Sequence, residues 1–411
     1  MSLSRRDFLA AAGAAGASLG GRFGDALGRS LGVSLGASFG GAPAFAGDAR
    51  DVVTVARLAE PGPYHRIWQP FLATDAAGRL LCAYGTQLHG KTDMGALWCA
   101  RSADGGRTWS PPSPVLHHDQ PGGSVAMGYA NPVLYRAPGH ETVWCFAMRS
   151  PLFHPDSEFS QLCAAVSVDG GASWRPIELA VLHPAFPITC QHVVRAADAQ
   201  GPRYLLPLHV HFSPKFPGDP GRAQFVLESR DLLTWRLAGY VPCDPSRVAF
   251  LHEGGIAAGD APGELVMAMR TAAHNRYPEP HPSLRAYVSR SADGGRTWSP
   301  AAPEPALYNS VAKGYFGDDG HGTQVYVYND GPAWQRRALW YVTRPRGGRW
   351  SAPRPFFHQG ADVLGGAGRN SYPTLLPLGP RRWAAAWDSS DLPPRDRTQI
   401  RFGVLDLAAA G

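Results

Sequence analysis

Ser102-Ala103-Asp104-Gly105-Gly106-Arg107-Thr108-Trp109 returns, identical at every position, as Ser291-Ala292-Asp293-Gly294-Gly295-Arg296-Thr297-Trp298. A third copy runs from Ser167 to Trp174, and Ser229-Arg230-Asp231 to Thr234-Trp235 is a copy one residue short. Thr343 to Trp350, with Gly347-Gly348, is a degraded fifth. The tryptophans stand at intervals of 65, 61, 63 and 52 residues, a spacing that suits four-stranded propeller blades. Within each copy the aspartate and glycines make a tight turn, the Ser/Thr hydroxyls bond locally to backbone, and the tryptophan plugs the space beneath. The motif is therefore a structural staple between strands, and its aspartates are not acids at work.

The segments between copies read as strands: short or alternating apolar runs at Leu80–Tyr84, Thr142–Met148, Arg203–Pro207, Glu264–Met269 and Arg382–Trp387, bounded by Gly, Pro and Asp. The reading is all-β: a six-bladed propeller of four-stranded antiparallel blades, with Ser371–Leu407 in the sixth. A strand at Val52–Leu58 is expected to complete that last blade and leave no open sheet edge.

The chain begins with Arg5-Arg6-Asp7-Phe8-Leu9, followed by an Ala/Gly-rich run that reaches Ala44-Phe45-Ala46. This pattern predicts a twin-arginine export signal over residues 1–46, cleaved before Gly47, and a propeller over 47–411. Arg22, Asp25 and Arg29 interrupt the run before the roughly 20 apolar residues a membrane span needs. The expected product is a periplasmic or secreted monomer with no stable membrane insertion.

The sequence pI near 9.1 invites a nucleic-acid partner. However, only three of 39 basic residues are lysines (Lys91, Lys215 and Lys313), and the arginines are spread along the chain without a basic run, so no nucleic-acid partner is expected. Cys82, Cys99, Cys145, Cys163, Cys190 and Cys243 contain no C-x-x-C spacing for structural zinc. Small buried side chains and cross-strand disulfides (Cys82 with Cys99, Cys145 with Cys163) are the two readings left open.

The repeated turn is the Asp box, and nearly the whole of residues 47–411 resembles the sialidase (neuraminidase) family of six-bladed propellers. The resemblance implies an exo-acting glycoside hydrolase with no cofactor and no metal, whose partner is an acidic glycan. Three arginines would hold the substrate carboxylate, a tyrosine would attack the anomeric carbon, a glutamate would activate it, and an aspartate would serve as acid/base. A neutral tyrosine suits this chemistry because the substrate carboxylate would repel a carboxylate nucleophile, and sialidases depart from the two-carboxylate rule in this way.

Carried over onto this sequence, the first arginine resembles Arg66 in Arg66-Ile67-Trp68-Gln69-Pro70, where Trp68 and Gln69 intervene before the proline. The acid/base resembles Asp93, before the first Asp box. Leu251-His252-Glu253-Gly254-Gly255 followed by Arg270 is similar to the stretch holding the activating glutamate and second arginine. The third arginine resembles Arg337, with Arg336 as its alternative. The nucleophile resembles Tyr372, and the acid that steadies the first arginine resembles Asp388. Pro373 and Asp388 stand where the family usually has serine and glutamate.

The histidines suggest a rival. His65, His192, His209, His211 and His252 fall near expected strand ends, and a propeller lyase of uronic-acid polysaccharides would use a set such as Tyr129, His192 and Arg195. A noncatalytic carbohydrate-binding propeller is the third reading, since fold alone does not set function.

Overall fold

The computed structural model describes residues 45–59, 62–117, 126–153, 160–182, 187–189, 191–210, 224–242, 251–271, 284–330, 336–359, 369–390 and 398–407. Among them there is no helix, and the strands form six sheets arranged as a propeller. Blade 1 runs from its inner strand Tyr64–Thr74 through Leu80–Leu88 and Leu97–Ser102 to Ser113–Leu116, each strand antiparallel to the one before. Blades 2 and 4 repeat this order from the inner strands Met127–Arg136 and Leu251–Ala258. In blade 3 the inner strand is split into Pro187–Thr189 and Val194–Asp198, both paired with Gly201–Val210. Ala180–Leu182 adds a parallel strand at that blade's outer edge.

Blade 5 starts at Tyr315–Asp318, and Phe45–Ala46 pairs with its last strand, Arg354–Gln359. Blade 6 starts at Arg369–Gly379 and ends with Ala49–Arg57 paired antiparallel to Gln399–Asp406. The strand from the beginning of the chain thus closes the ring, three residues earlier than the sequence suggests. Residues 1–44 of the expected export signal, with Cys190, His211, Lys215 and Cys243, lie outside the described residues.

Burial follows from stacking blade on blade. Trp235 is fully buried and meets Phe146 of blade 2 edge-on, with ring centroids 5.2 Å apart. Trp109 likewise meets Phe402 of blade 6 at 5.3 Å. Gly106 shows why the turn needs glycine: its φ is +95°, and a Cβ there would stand 2.1 Å from the Phe402 ring.

The staples are built as the sequence implies. Ser102 Oγ donates to Asp104 Oδ1 (2.8 Å), Thr108 N–H donates to the same oxygen (2.9 Å), and Trp109 Nε1 donates to Gly106 O (3.0 Å). The blade 3 copy keeps the tryptophan bond through Leu232 O (3.0 Å), with Leu232 itself at φ +65°. The degraded fifth copy has Pro345 in place of the aspartate. Asp260 from blade 4 fills in, accepting from Gly347 N–H at 2.8 Å and from Arg344 Nη1 at 3.0 Å.

Cys82, Cys99, Cys145 and Cys163 are buried and free. Cys82 lies opposite Ala100 and Cys99 opposite Ala83, and burial pushes the Cys99 and Cys163 thiols up to about 12. They are small core side chains rather than the cross-strand disulfides left open above.

Candidate active site at one end of the channel

Strand direction sorts the candidate residues before any side chain is considered. The start of each inner strand pairs with the end of the second strand: Tyr64 opposite Leu88, Leu251 opposite Thr271, Asn370 opposite Ser389. Asp boxes follow the third strand at the other end, as Ser102 opposite Leu80 shows. Arg66, Asp93, Glu253, Arg270, Tyr372 and Asp388 all belong to the end away from the boxes.

A second repeat fixes the depth of the site. The inner strands of blades 1, 2, 4 and 6 each carry a β-bulge, between Trp68 and Phe71, Ala130 and Val133, His252 and Gly255, and Ser371 and Thr374. The bulged residues Gln69, Asn131, Glu253 and Tyr372 have φ of 51°, 55°, 53° and 52°. Such a bulge re-aims one side chain out of the strand alternation, and a non-glycine residue there costs on the order of 1–3 kcal/mol. Gln191 in the split strand of blade 3 and Lys313 ahead of the blade 5 strand complete the series. The six positions recur at intervals of 62, 60, 62, 60 and 59 residues, and all six side chains are buried.

Three of these candidates are in direct contact. Arg270 Nη1 donates to Glu253 Oε2 at 2.7 Å, and Arg270 is also hydrogen-bonded to Tyr372. Burial pushes the Glu253 carboxyl up, but the positive charges of Arg270 and Lys313 with the Arg270 hydrogen bond outweigh it, and the group stays below its ordinary value. It is a carboxylate at neutral pH, poised to accept a proton. Burial pulls the Arg270 guanidinium down, and Glu253 and Tyr372 more than restore it.

Around the Tyr372 ring stand Trp68, edge-on at 5.7 Å, the Arg336 guanidinium carbon at 5.0 Å and Lys313 Nζ at 5.9 Å. Of the two adjacent arginines, Arg336 stands over the tyrosine ring. Arg337 is half-buried, and its carbonyl accepts from Asn370 Nδ2 at 2.7 Å. Arg66 lies over Trp68 at 5.8 Å. Asp388 is wholly buried and joins two bulges, accepting from Gln69 N–H at 3.3 Å and from Ser371 Oγ at 2.5 Å.

Asp93 is half-buried at φ +56° in the hairpin between Leu80–Leu88 and Leu97–Ser102. Gln87 Nε2 donates to Lys91 O, and Lys91 Nζ donates to Leu152 O of blade 2. These two bonds hold the hairpin over the same end.

The lyase set is not gathered. Tyr129 pairs with Arg149 at the site end, whereas Arg195 pairs with Tyr204, close enough to Tyr135 for its charge to act there. Tyr135 is six residues further along the strand from Tyr129, roughly 20 Å. His192 Nε2 is 2.8 Å from Ile256 O. It lines a channel cavity with Phe71, Tyr315 and Asp318 that does not include Glu253, Arg270 or Tyr372, and burial holds its pKa below the usual histidine range. His209 and His252 pack with centroids 5.3 Å apart behind Glu253, whose N–H donates to His209 Nδ1 at 3.4 Å.

A six-bladed propeller stapled by Asp boxes, with a buried tyrosine, glutamate and arginine at one end, defines a sialidase-type scaffold. Residues 78–379 match the BNR repeat-like domain, and the chain belongs to that family. Comparison with curated protein sequences finds no match. Among solved structures it is similar to the Hadza microbial sialidase Hz136, at 17% identity and TM-score 0.63 over 87% of this chain and 69% of that one. It is also similar to the NanB sialidase of Streptococcus pneumoniae, at 10% identity and TM-score 0.63 over 87% and 71%. The α-L-arabinanase of Penicillium chrysogenum matches at 14% identity and TM-score 0.57 over 89% and 99%. At these identities the likeness is one of fold.

Proposed function

We propose that the chain is a glycoside hydrolase that removes a terminal sialic acid or a related acidic sugar with retention of configuration. The observation that carries this reading is the contact of Arg270 with both Glu253 and Tyr372, beside a Glu253 that is ionised.

In this mechanism Arg66, Arg270 and an arginine of the Arg336–Arg337 pair hold the substrate carboxylate by charge-assisted hydrogen bonds. Glu253 takes the phenolic proton while Tyr372 Oη bonds to the anomeric carbon. The glycosidic bond breaks, and Asp93 protonates the departing oxygen. Asp93, now a carboxylate, takes a proton from water. The hydroxyl so formed displaces Tyr372 from the sugar, and the phenolate recovers its proton from Glu253. Two displacements at one carbon give retention. Asp388 is the acid that steadies Arg66, and its bonds to Gln69 N–H and Ser371 Oγ also tie the two bulges together.

The protein is proposed to act as a monomer outside the cytoplasm after twin-arginine export and removal of residues 1–46. Incubation of the purified protein with sialyl-lactose is expected to release free sialic acid, and Tyr372→Phe is expected to abolish that release. Unsaturated product from a uronic-acid polysaccharide, with no sialic acid released, would replace this reading with the lyase.

A further inference from the structure

Lys313 holds the blade 5 place in the bulge ring, immediately before Gly314 and the inner strand Tyr315–Asp318. Its side chain is 4% exposed, and among the described residues its ammonium has no hydrogen-bond acceptor. Nζ lies 5.9 Å from the Tyr372 ring centroid, and its charge acts on the Glu253 carboxylate. That carboxylate is already engaged by Arg270 at 2.7 Å. The charged and titratable groups facing this region are Glu253, Arg270, Arg336, Lys313 and Tyr372, with Asp388 behind Ser371 and His209 and His252 behind Glu253.

A buried ammonium is expensive unless an anionic or polar oxygen meets it, and a lysine serving only the fold would be matched with a carboxylate or carbonyl. Lys313 follows Glu253 by 60 residues and precedes Tyr372 by 59, and its ammonium lies beside the Tyr372 ring. Lysine also brings donors that need no fixed fork geometry, unlike arginine. Resting on the acidic-sugar reading, we propose that Lys313 is a further substrate-binding residue, donating from the channel floor to an anionic oxygen of a sugar acid lying over Tyr372. It is absent from the arginine set implied by family resemblance and adds a fourth cation to it.

The test is calorimetric titration of N-acetylneuraminate and, separately, D-glucuronate into the purified wild-type protein, Lys313→Met and Lys313→Arg, with ligand-free Tm recorded for each. For whichever acid the wild type binds, Lys313→Met is expected to raise Kd about tenfold or more, and Lys313→Arg to retain most of the affinity. Removing an unmatched buried charge is expected to leave the ligand-free Tm of Lys313→Met equal to the wild type or higher. If that variant does not fold, Lys313→Gln, neutral and similar in reach, gives the same comparison. An unchanged Kd in a wild type that binds the acid overturns the role of Lys313 alone, as does a lowered Tm with Kd intact. If the wild type binds neither acid, the acidic-sugar reading falls and takes this role with it.

Discussion

Arg270 Nη1 and Glu253 Oε2 are 2.7 Å apart in a pair that is 92% removed from solvent on each side, both side chains being 8% exposed. The bond spans a β-bulge: Glu253 sits at φ +53° in the register break, and Arg270 lies opposite His252 on the next strand. A buried ion pair of this kind is weak evidence of stabilisation, since desolvation offsets much of its attraction. In the proposed mechanism its place beside Tyr372 keeps the proton acceptor ionised.

Breaking the pair from one side should therefore hurt more than removing it whole. Glu253→Gln leaves Arg270 uncompensated and is expected to lower stability by about 3–5 kcal/mol. Arg270→Met is expected to do the same from the other side, and the double variant to recover part of the loss. A double-mutant cycle of denaturant midpoints checks this. Activity does not recover with stability: Glu253→Gln is expected to reduce kcat by about 10²–10⁴, the usual worth of a positioned general base.

The adjacent arginines separate by kinetics. Arg336→Met removes a guanidinium 5.0 Å from the Tyr372 ring and is expected to lower kcat/KM at least about tenfold, whereas Arg337→Met is expected to change it less than about threefold. The opposite order would move the third arginine back to position 337.

Acid should unfasten the turns before it reaches the core. Burial pushes the Asp169 and Asp293 carboxyls up, but hydrogen bonds from Ser173, Ser167, Thr297 and Ser291 outweigh it and hold both at about 2. A carboxyl depressed on folding contributes stability above its unfolded value of about 3.9, and that contribution disappears as pH falls through the folded value. Tm is expected to fall between about pH 4 and pH 2, with a shallower fall in Asp293→Asn, which has one fewer such group. Thermal melts across that range give the slope.

Asp260 offers a test of the borrowed staple. Hydrogen bonds from Arg344 and Gly347 hold its carboxyl at about 2. Asp260→Ala is expected to lower stability by about 1 kcal/mol, the worth of an ordinary hydrogen bond. Hydrogen exchange should show the loss at Gly347 N–H, in blade 5, rather than around Asp260 in blade 4.

How far the sequence reaches depends on how local the signal is. Ser102 to Trp109 folds through bonds within eight residues, so its copies keep their letters and announce the propeller. The ring at Gln69, Asn131, Gln191, Glu253, Lys313 and Tyr372 recurs as evenly, but its side chains differ because each does different work. The shared trace is slight: proline after Gln69, Asn131 and Tyr372, and glycine after Glu253 and Lys313. Only family resemblance singles out Glu253 and Tyr372, and nothing in the local sequence distinguishes Lys313 beyond its being one of three lysines. Choosing between Arg336 and Arg337 needs the chain's path, because a one-residue slip reverses which side chain faces the site. Nothing local marks the role of Asp260, because its partners, Arg344 and Gly347, are 84 and 87 residues away.

The most direct measurement is a proton NMR time course of the purified protein with sialyl-lactose, following which anomer of free sialic acid appears first. A tyrosine nucleophile acting through two displacements requires the α-anomer first, converting later to the β-anomer by mutarotation. The β-anomer appearing first, or no sialic acid released at all, would contradict the assignment of Tyr372, Glu253 and Asp93 to a retaining hydrolysis of acidic sugars.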